Sequence, residues 1–325
     1  MTVVVPLSTV AACSSSHDDG GEDHPVARLV AGFDAAKGEL PEGLAFRDGT
    51  PYVGFAPSGT VARVDVANGS SQSFAQLPGP LPNQGFMTGL AFDAAGALYA
   101  ALSSSAKEVE SGIYRASKDG GDAILFAKHP DMTFPNGLAF DGAGQLWVTD
   151  SSKGAVFKIA PDGTTTIFSD HELLKGQRGF CGPGTDSGFD VGANGIALGD
   201  GVIYVTNSDK ASVIEIAIAA ADGSAGGVRT LAGPLCDQLG GADGLARMPG
   251  GSLIAAANRL NQVVRVETNG STAVLGGGAP FDYPASVVVA SERDAATLWI
   301  TSFALASATA GSDPHPGLVR LASAN

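Results

Sequence analysis

A five-residue phrase that recurs along the chain constrains its fold more than any other feature. The phrase is x-Gly-Leu-Ala-Phe or a close variant, and its copies begin at positions 42, 88, 136, 194, 243 and 285. Each copy is followed by a short turn, a second apolar strand and a third strand in which apolar and polar residues alternate. A period of about 45 residues built from short strands is typical of β-propeller blades.

The repeat predicts an all-β fold, a six-bladed β-propeller of four-stranded antiparallel blades. The sixth copy ends after its third strand, near Leu321, whereas residues 27–31 precede the first copy and have no blade of their own. We therefore expect this N-terminal strand to complete the sixth blade and close the ring, which hides an exposed sheet edge. Two separate β-sandwiches are the alternative, but one shared period through the chain argues against them. The 45 glycines among 325 residues fit many turns between short strands.

The N-terminal segment predicts export and a lipid anchor. Cys13 ends the apolar run of residues 2–12 and resembles the modified cysteine of a bacterial lipobox, and a Ser-, Asp- and Gly-rich flank follows it. We therefore divide the chain into a lipoprotein-type signal and tether, residues 1–26, and one propeller domain, residues 27–325. The location expected is periplasmic or cell-surface, with membrane contact only through the lipid. No Lys or Arg precedes the apolar run, contrary to a signal peptide, so an ordinary disordered tail is the alternative.

Charge and cysteine usage narrow the possible partners and chemistry. The formal net charge of −14 would repel phosphate backbones, so we expect no nucleic-acid partner. We also expect a monomer that acts on a small molecule. The absence of a Cys-x-x-Cys pair argues against zinc-ribbon and thioredoxin chemistry. Cys181 and Cys236 precede the fourth and fifth copies of the phrase, in connections that should share one face. In an exported protein they predict a disulfide, with two separate thiols as the alternative.

The first position of the phrase predicts a metal site. Around the ring this position reads Glu42, Thr88, Asn136, Asn194, Asp243 and Ala285. Equivalent positions lie at the same height on the innermost strands, so the two carboxylates and two amide groups should converge in the central tunnel. Such hard oxygen donors suit Ca²⁺, whereas zinc or copper would favour His or Cys ligands. Asn-Gly and Asp-Gly as simple turn residues are the alternative, which leaves Glu42 unexplained.

These four residues, each followed by Gly at blade spacing, resemble the metal-binding pattern of a known family. The chain from about residue 27 onward is similar to the senescence-marker-protein/gluconolactonase family of calcium-dependent six-bladed propellers, and to the related diisopropyl fluorophosphatases and paraoxonases. The resemblance implies one divalent ion and hydrolysis of lactones or phosphoesters. The chain departs from paraoxonases at Thr88, where they carry a catalytic histidine, and it lacks a polar ligand at Ala285.

The residues expected to surround the ion come from the same face of the ring. If an inner strand starts at that face, the second strand ends there, so the ends of second strands and the long connections should line a pocket. The substrate-binding residues predicted on this face are Thr88, at the first position of its phrase, and Asp150, Asn207, Asn258, Arg259 and His315. For His315, an ordinary solvated loop histidine is the alternative.

The sequence leaves three functions open. The first is a metal-dependent hydrolase of lactones or related esters, in which Asp243 acts as general base or as nucleophile. The second is a non-catalytic cell-surface propeller that binds a small ligand or partner and carries a structural metal. The third is a condensing enzyme of the strictosidine-synthase type, whose members share the propeller but generally lack the full set of four ligands.

Overall fold

The structure is a computed structural model, and it describes residues 26–78, 84–182, 188–292 and 295–322. The predicted signal and tether, including Cys13, lie outside these residues apart from Val26. Within the described ranges, no helix combines the length and the apolar character needed to cross a membrane.

The described chain consists of 24 strands with almost no helix. The strands of the first half are β1 Ala27–Gly32, β2 Pro41–Arg47, β3 Thr50–Phe55, β4 Thr60–Val64, β5 Ser71–Gln76, β6 Gly85–Phe92, β7 Leu98–Ser104, β8 Gly112–Ser117, β9 Gly120–Ala127, β10 Pro135–Phe140, β11 Leu146–Asp150, β12 Ala155–Ile159 and β13 Thr165–Ser169. Those of the second half are β14 Ala193–Gly199, β15 Val202–Asn207, β16 Ser212–Ile218, β17 Ala225–Ala232, β18 Ala242–Arg247, β19 Leu253–Ala257, β20 Gln262–Val266, β21 Thr272–Gly277, β22 Pro284–Glu292, β23 Ala295–Ser302 and β24 Gly317–Ala322. One α-helix, α1 Leu305–Ala310, and three 3₁₀ turns, Ala35–Lys37, Glu172–Leu174 and Asn258–Leu260, complete the described elements.

The strands form a propeller of four four-stranded sheets and one eight-stranded sheet. In the four-stranded sheets of strands β10 to β21, consecutive strands pair antiparallel, as the repeat predicts. The eight-stranded sheet holds two such meanders, β2 to β5 and β6 to β9, whose outer strands meet. That junction is parallel and short, since it pairs only Ala75 with Gly121 and Gln76 with Asp122. The separate first and second blades expected from the repeat are therefore joined at their rim.

The N-terminal strand closes the ring, as predicted. Strand β1 pairs antiparallel with β24, from Ala27 opposite Leu321 to Gly32 opposite Gly317. It is thus the outer strand of the sheet β1-β24-β23-β22, whose other three strands come from the end of the chain. Aromatic contact adds to this closure, because Trp299 of β23 packs against Phe46 of β2 at 5.4 Å between ring centroids.

The first strands of the six repeats contact one another in a closed cycle: β2, β6, β10, β14, β18, β22 and again β2. Buried apolar side chains fill the spaces between neighbouring sheets. Leu245 of β18, for example, belongs to a cluster with Ala197 of β14 and Val213 of β16. The core therefore lies between the sheets, and the six first strands surround one axis. The candidate site is found at this axis.

Candidate metal centre

Every first strand begins with the same irregularity. Its register against the second strand shifts by one residue within the repeated phrase, between Pro135 and Leu138 in one sheet and between Ala193 and Ile196 in the next. The other four first strands shift at the equivalent place. An extra residue of this kind is a β-bulge, which bends the strand and redirects a side chain. The first residue of the phrase therefore occupies the same bulged position in all six repeats.

The glycine of the phrase allows the first strands to approach closely. A Cβ placed on Gly137 would lie 2.6 Å from the carbonyl oxygen of Asn194, and one on Gly195 would lie 2.3 Å from that of Asp243. A Cβ on Gly43, Gly89 or Gly244 would likewise meet the carbonyl oxygen of the next first-position residue, which is Thr88, Asn136 or Ala285 respectively. Since side chains do not approach backbone so closely, only glycine fits. The first-position residues therefore follow one another around the axis in repeat order.

Threonine hydroxyls of the second strands tie these neighbours together. Thr206 Oγ1 accepts from the amide of Gly195 at 2.7 Å and donates to the carbonyl oxygen of Asp243 in the next sheet at 2.6 Å. Thr149 bridges Gly137 and Asn194 in the same way. Thr301 donates to the carbonyl oxygen of Glu42 at 3.1 Å, which joins the last sheet to the first. The backbone that carries the four predicted ligands is thus fixed by bonds between sheets.

The two carboxylates of the predicted quartet are buried and act on each other. Glu42 and Asp243 are 6% and 7% exposed. Burial, and then the charge of Asp243, raise the pKa of Glu42 well above its ordinary value. Burial raises the pKa of Asp243 to about 7, against the opposing effects of hydrogen bonds from Asn258 and Asn194 and of the charge of Arg259. Two buried carboxylates near each other favour a cation between them.

The two amides of the quartet are oriented by serines that follow the second strands. Asn136 Nδ2 donates to Ser151 Oγ at 3.1 Å, and Asn194 Nδ2 donates to Ser208 Oγ at 2.9 Å. Ser208 in turn donates its proton to the carbonyl oxygen of Ala242 at 2.7 Å, so its oxygen is the acceptor for the amide. Because each amide nitrogen is engaged by a serine, the amide oxygen is left for another partner.

Three buried oxygen acceptors of this ring have no hydrogen-bond donor in the described part of the chain. They are Oε2 of Glu42, Oδ1 of Asn194 and Oδ1 of Asn258. Buried acceptors without a donor are rare in folded proteins and call for an explanation. A hard cation satisfies carboxylate and amide oxygens together, so the residues present fit a calcium-type ion. No three His, Cys, Asp or Glu side chains form a metal-binding group in the described ranges, so any site here rests on a mixed carboxylate and amide set.

Two predicted substrate-binding residues, Asp150 and Asn207, are hydrogen-bonded to backbone groups of the protein. Asp150 is fully buried, and its carboxylate accepts from the backbone amides of Thr133, Phe134 and Lys153. Asn207 Nδ2 donates to the carbonyl oxygens of Leu173 and Lys175. These side chains therefore hold the connections that precede β10 and β14, and the bonded atoms are not available to a substrate.

Thr88 and His315 were also predicted to bind substrate, and the structure places them as follows. The hydroxyl of Thr88 donates to the carbonyl oxygen of Pro135 in the next sheet at 2.8 Å, so it acts as an additional link between sheets. The side chain of His315 is 70% exposed and lies 3.6 Å from Asp313. It lines a cavity of about 560 Å³ beside Phe33 and Phe281, and none of the four predicted ligands lines that cavity.

Asn258 and Arg259 do lie at the ring. Asn258 Nδ2 donates to Oδ2 of Asp243 at 3.0 Å. Arg259 Nη2 contacts Oδ1 of Asp209 at 3.2 Å, and its charge also acts on Asp243. Tyr283, whose φ is 55°, is close enough to Asp243 and Arg259 for both charges to act on the pKa of its hydroxyl, which burial raises.

The sequence analysis did not identify Ser151, Ser208, Asp209 or Tyr283. The first three directly follow or lie near predicted strand ends, and only the paired register places them at the ring. A polar residue directly after the second strand, as after β11 and β15, is the signal that could have found the two serines.

The predicted disulfide is present. Cys181 and Cys236 are bonded, with their Cα atoms 5.4 Å apart. The bond joins the connection that precedes β14 to the one that precedes β18, the strands that carry Asn194 and Asp243. Cys181 Sγ also lies 3.5 Å from the carbonyl oxygen of Asp209, so the disulfide lies against the residue that pairs with Arg259.

A cavity of about 290 Å³ runs along the axis of the ring. Its lining includes Asn136, Asn194 and Asp243 at the start of the first strands, and Leu198 and Arg247 at their far end. Three of the four predicted ligands, Asn136, Asn194 and Asp243, therefore line a central tunnel at the level where the first strands begin, whereas Glu42 is not among its lining residues.

Comparison with known proteins supports the fold. No family model matches the chain, and no curated protein sequence matches it. Among solved structures, a luciferin-regenerating enzyme shares 16% identity over 92% of this chain and 95% of its own, with a TM-score of 0.65. A gluconolactonase of Xanthomonas campestris shares 18% identity over 92% and 95%, with a TM-score of 0.62. A calcium-binding regucalcin of Agrobacterium tumefaciens shares 15% identity over 87% and 90%, with a TM-score of 0.60. At these identities the likeness shows the propeller fold.

Proposed function

We propose that the chain is a metal-dependent hydrolase of lactones or related esters and phosphoesters, with one calcium-type ion held by Glu42, Asn136, Asn194 and Asp243. The observation that carries the proposal is the set of buried oxygen acceptors without donors, found beside two carboxylates of raised pKa. The gluconolactonase and the calcium-binding regucalcin among the similar structures support it. We also interpret the eight-stranded sheet as two adjacent blades, which gives the ring six.

When bound, such an ion would polarise a carbonyl or phosphoryl oxygen and stabilise the negative charge that develops on it. The four side chains would hold it, since each offers at least one oxygen and threonine bonds between sheets fix the backbones of Asn194, Asp243 and Glu42. Two carboxylate charges would balance those of a divalent ion, which limits the free energy lost on burying it.

Asp243 is the residue best placed for the chemical step. Its Oδ2 accepts from Asn258, and this bond fixes the rotation of the carboxylate. Burial raises the pKa of Asp243 to about 7 in the metal-free protein, whereas the charge of Arg259 and a bound cation would both favour the ionised form that a general base requires. Asp243 would either take a proton from the attacking water or attack the carbonyl carbon itself; the arrangement allows both.

Turnover by purified protein tests the proposal. A panel of lactones, aryl esters and organophosphates is assayed with calcium and after removal of metal by chelator. We expect turnover that chelation abolishes and calcium restores, and Asp243→Asn to lose it while keeping its circular dichroism spectrum. Asp162→Asn, at an exposed turn carboxylate, serves as the control and should keep full activity.

The non-catalytic alternative predicts a different pattern. If the ion were structural only, chelation would lower the melting temperature but no substrate of the panel would turn over. Under that alternative Asp243→Asn would weaken metal binding without removing any activity. Absence of chelator-sensitive turnover across the whole panel would therefore contradict the hydrolase proposal.

A further inference from the structure

Two equivalent pairs of residues lie side by side on the site face. Ser208–Asp209 follows strand β15 and Asn258–Arg259 follows β19, the second strands of neighbouring sheets. The first member of each pair holds a predicted ligand, since Ser208 binds the amide of Asn194 and Asn258 binds Asp243. The second members, Asp209 and Arg259, contact each other across the two sheets at 3.2 Å.

Asp209 is a rigid support for Arg259. Its side chain is 0% exposed. Oδ2 accepts from the backbone amides of Gln177 at 3.0 Å and Val191 at 2.8 Å, which leaves Oδ1 for Nη2 of Arg259. A carboxylate fixed by two backbone bonds restricts the guanidinium that it holds, so little conformational entropy remains to be lost when that guanidinium binds a further group.

Arg259 retains one donor without a partner. Its Nη1 is buried and has no acceptor within hydrogen-bond distance among the described residues, although the hydroxyl of Tyr283 interacts with the same guanidinium. The stem of the side chain packs against Gly241, two residues before Asp243, where any Cβ would lie 2.7 Å from Cγ of Arg259. The guanidinium is therefore close to the predicted ligand, as the effect of its charge on the pKa of both Asp243 and Tyr283 also indicates.

We propose that Nη1 of Arg259 binds an anionic oxygen of the substrate, so that the site prefers a lactone or ester that also bears a carboxylate or phosphate group. This inference rests on the proposed hydrolase function and specifies its substrate class. A fixed guanidinium with an open donor suits such oxygens because the hydrogen bond is charge-assisted. A site built to bond a polar group discriminates against analogues that lack it, since the donor is then left unpaired.

Matched substrates test this preference. The probes are γ-butyrolactone with a 5-carboxylate, the corresponding 5-carboxamide, and the 5-hydroxymethyl lactone with and without a phosphate ester. Because the charge of Arg259 also favours the ionised form of Asp243, Arg259→Gln should slow all four probes. We expect its kcat/KM to fall about ten- to a hundred-fold more for the carboxylate or the phosphate probe than for the matched neutral probe. The probe that loses more distinguishes carboxylate from phosphate recognition. Arg265→Gln, in an exposed ion pair on β20, is the control and should leave all four rates unchanged.

A binding measurement separates this inference from the proposed function. Tetrahydrofuran-2-carboxylate cannot be hydrolysed, and we expect it to raise the melting temperature of the wild-type protein but not of Arg259→Gln, whereas the carboxamide should raise neither. Arg259→Lys keeps the charge and serves if the Gln variant does not fold; it should show a smaller loss. Equal effects of the substitution on charged and neutral probes would mean that Arg259 only ties two sheets together, and would overturn the inference. If no lactone is turned over, the hydrolase proposal fails while the binding arm still decides the role of Arg259.

Discussion

The backbone of Gly195 lies against the carbonyl oxygen of Asp243 in the next sheet, where a Cβ would be only 2.3 Å away. The same contact recurs between neighbouring first strands and sets the width of the ring. Because the obstructing atoms are backbone, they cannot move aside without shifting the strand that carries a predicted ligand.

Gly195→Ala should therefore lower the free energy of unfolding. Overpacking of this kind costs about 1–3 kcal/mol, and the forced shift should also weaken metal binding. Urea unfolding followed by circular dichroism measures the first effect. Gly227→Ala is the control, since a Cβ on this strand glycine meets nothing within 4 Å. Equal stability of the two variants would show that the close approach of the first strands is not required.

Thr206→Val should show how much the hydroxyl bonds of Thr206, as distinct from the packing of its side chain, contribute to stability. The two side chains have nearly the same volume, but valine cannot accept from the amide of Gly195 or donate to the carbonyl oxygen of Asp243. Leaving buried backbone groups unpaired should destabilise the protein by about 1–3 kcal/mol. Thermal unfolding of this variant and of Thr166→Val, an exposed threonine on β13, makes the comparison. A loss no larger than that of the exposed control would contradict the proposed bridge.

The metal-free protein should become less stable as pH rises from about 4 to about 7. In this range the folded protein holds protons on Glu42 and Asp243 that the unfolded chain has lost, because their folded pKa values are raised, that of Asp243 from 3.8 to about 7. Stability falls with pH wherever the folded state binds more protons. Urea unfolding of dialysed, metal-free protein across this range measures the slope.

Two controls accompany the pH series. The Glu42→Gln and Asp243→Asn double variant should show a flatter dependence, since the raised carboxylates are gone. Saturating calcium should also oppose the loss at neutral pH, because the ion binds only the ionised carboxylates. A metal-free protein that gains stability over this range would contradict the burial of two interacting carboxylates.

Reduction of the Cys181–Cys236 bond should lower the melting temperature. The bond links residues 55 apart in sequence, and a cross-link of that length stabilises by about 2–4 kcal/mol, mainly by restricting the unfolded chain. Differential scanning calorimetry with and without reductant measures the change. The variant with both cysteines replaced by serine should melt at the reduced temperature and show no further response to reductant.

The sequence predicted the parts of this structure that repeat. The spacing of the phrase gave the strand pattern of the propeller, and the missing fourth strand of the last copy predicted the closure by β1. The four predicted ligands share one bulged position because they share one position in the phrase. Features outside the repeat were less predictable, such as the parallel contact of Ala75 with Gly121, which depends on how the outer strands curve at the rim.

The surroundings of the ring were harder to predict for a physical reason. The β-bulge in each first strand moves the register by one residue, so the side chains that reach the ring belong to Ser151 and Ser208 and not to the preceding Asp150 and Asn207. A one-residue change of register sends a side chain to the other side of a strand. Asp209 and Tyr283 come to the site through contacts between sheets, which no local pattern encodes.

Calcium titration by calorimetry tests the central claim most directly. The wild-type protein, freed of metal, should bind one ion per chain near neutral pH, and Asp222→Asn, at an exposed turn, should bind it equally well. The Glu42→Gln and Asp243→Asn double variant, shown to be folded, should bind none. A wild-type protein that binds no divalent ion, or a double variant that binds as the wild type does, would contradict a metal centre built from these first-strand side chains.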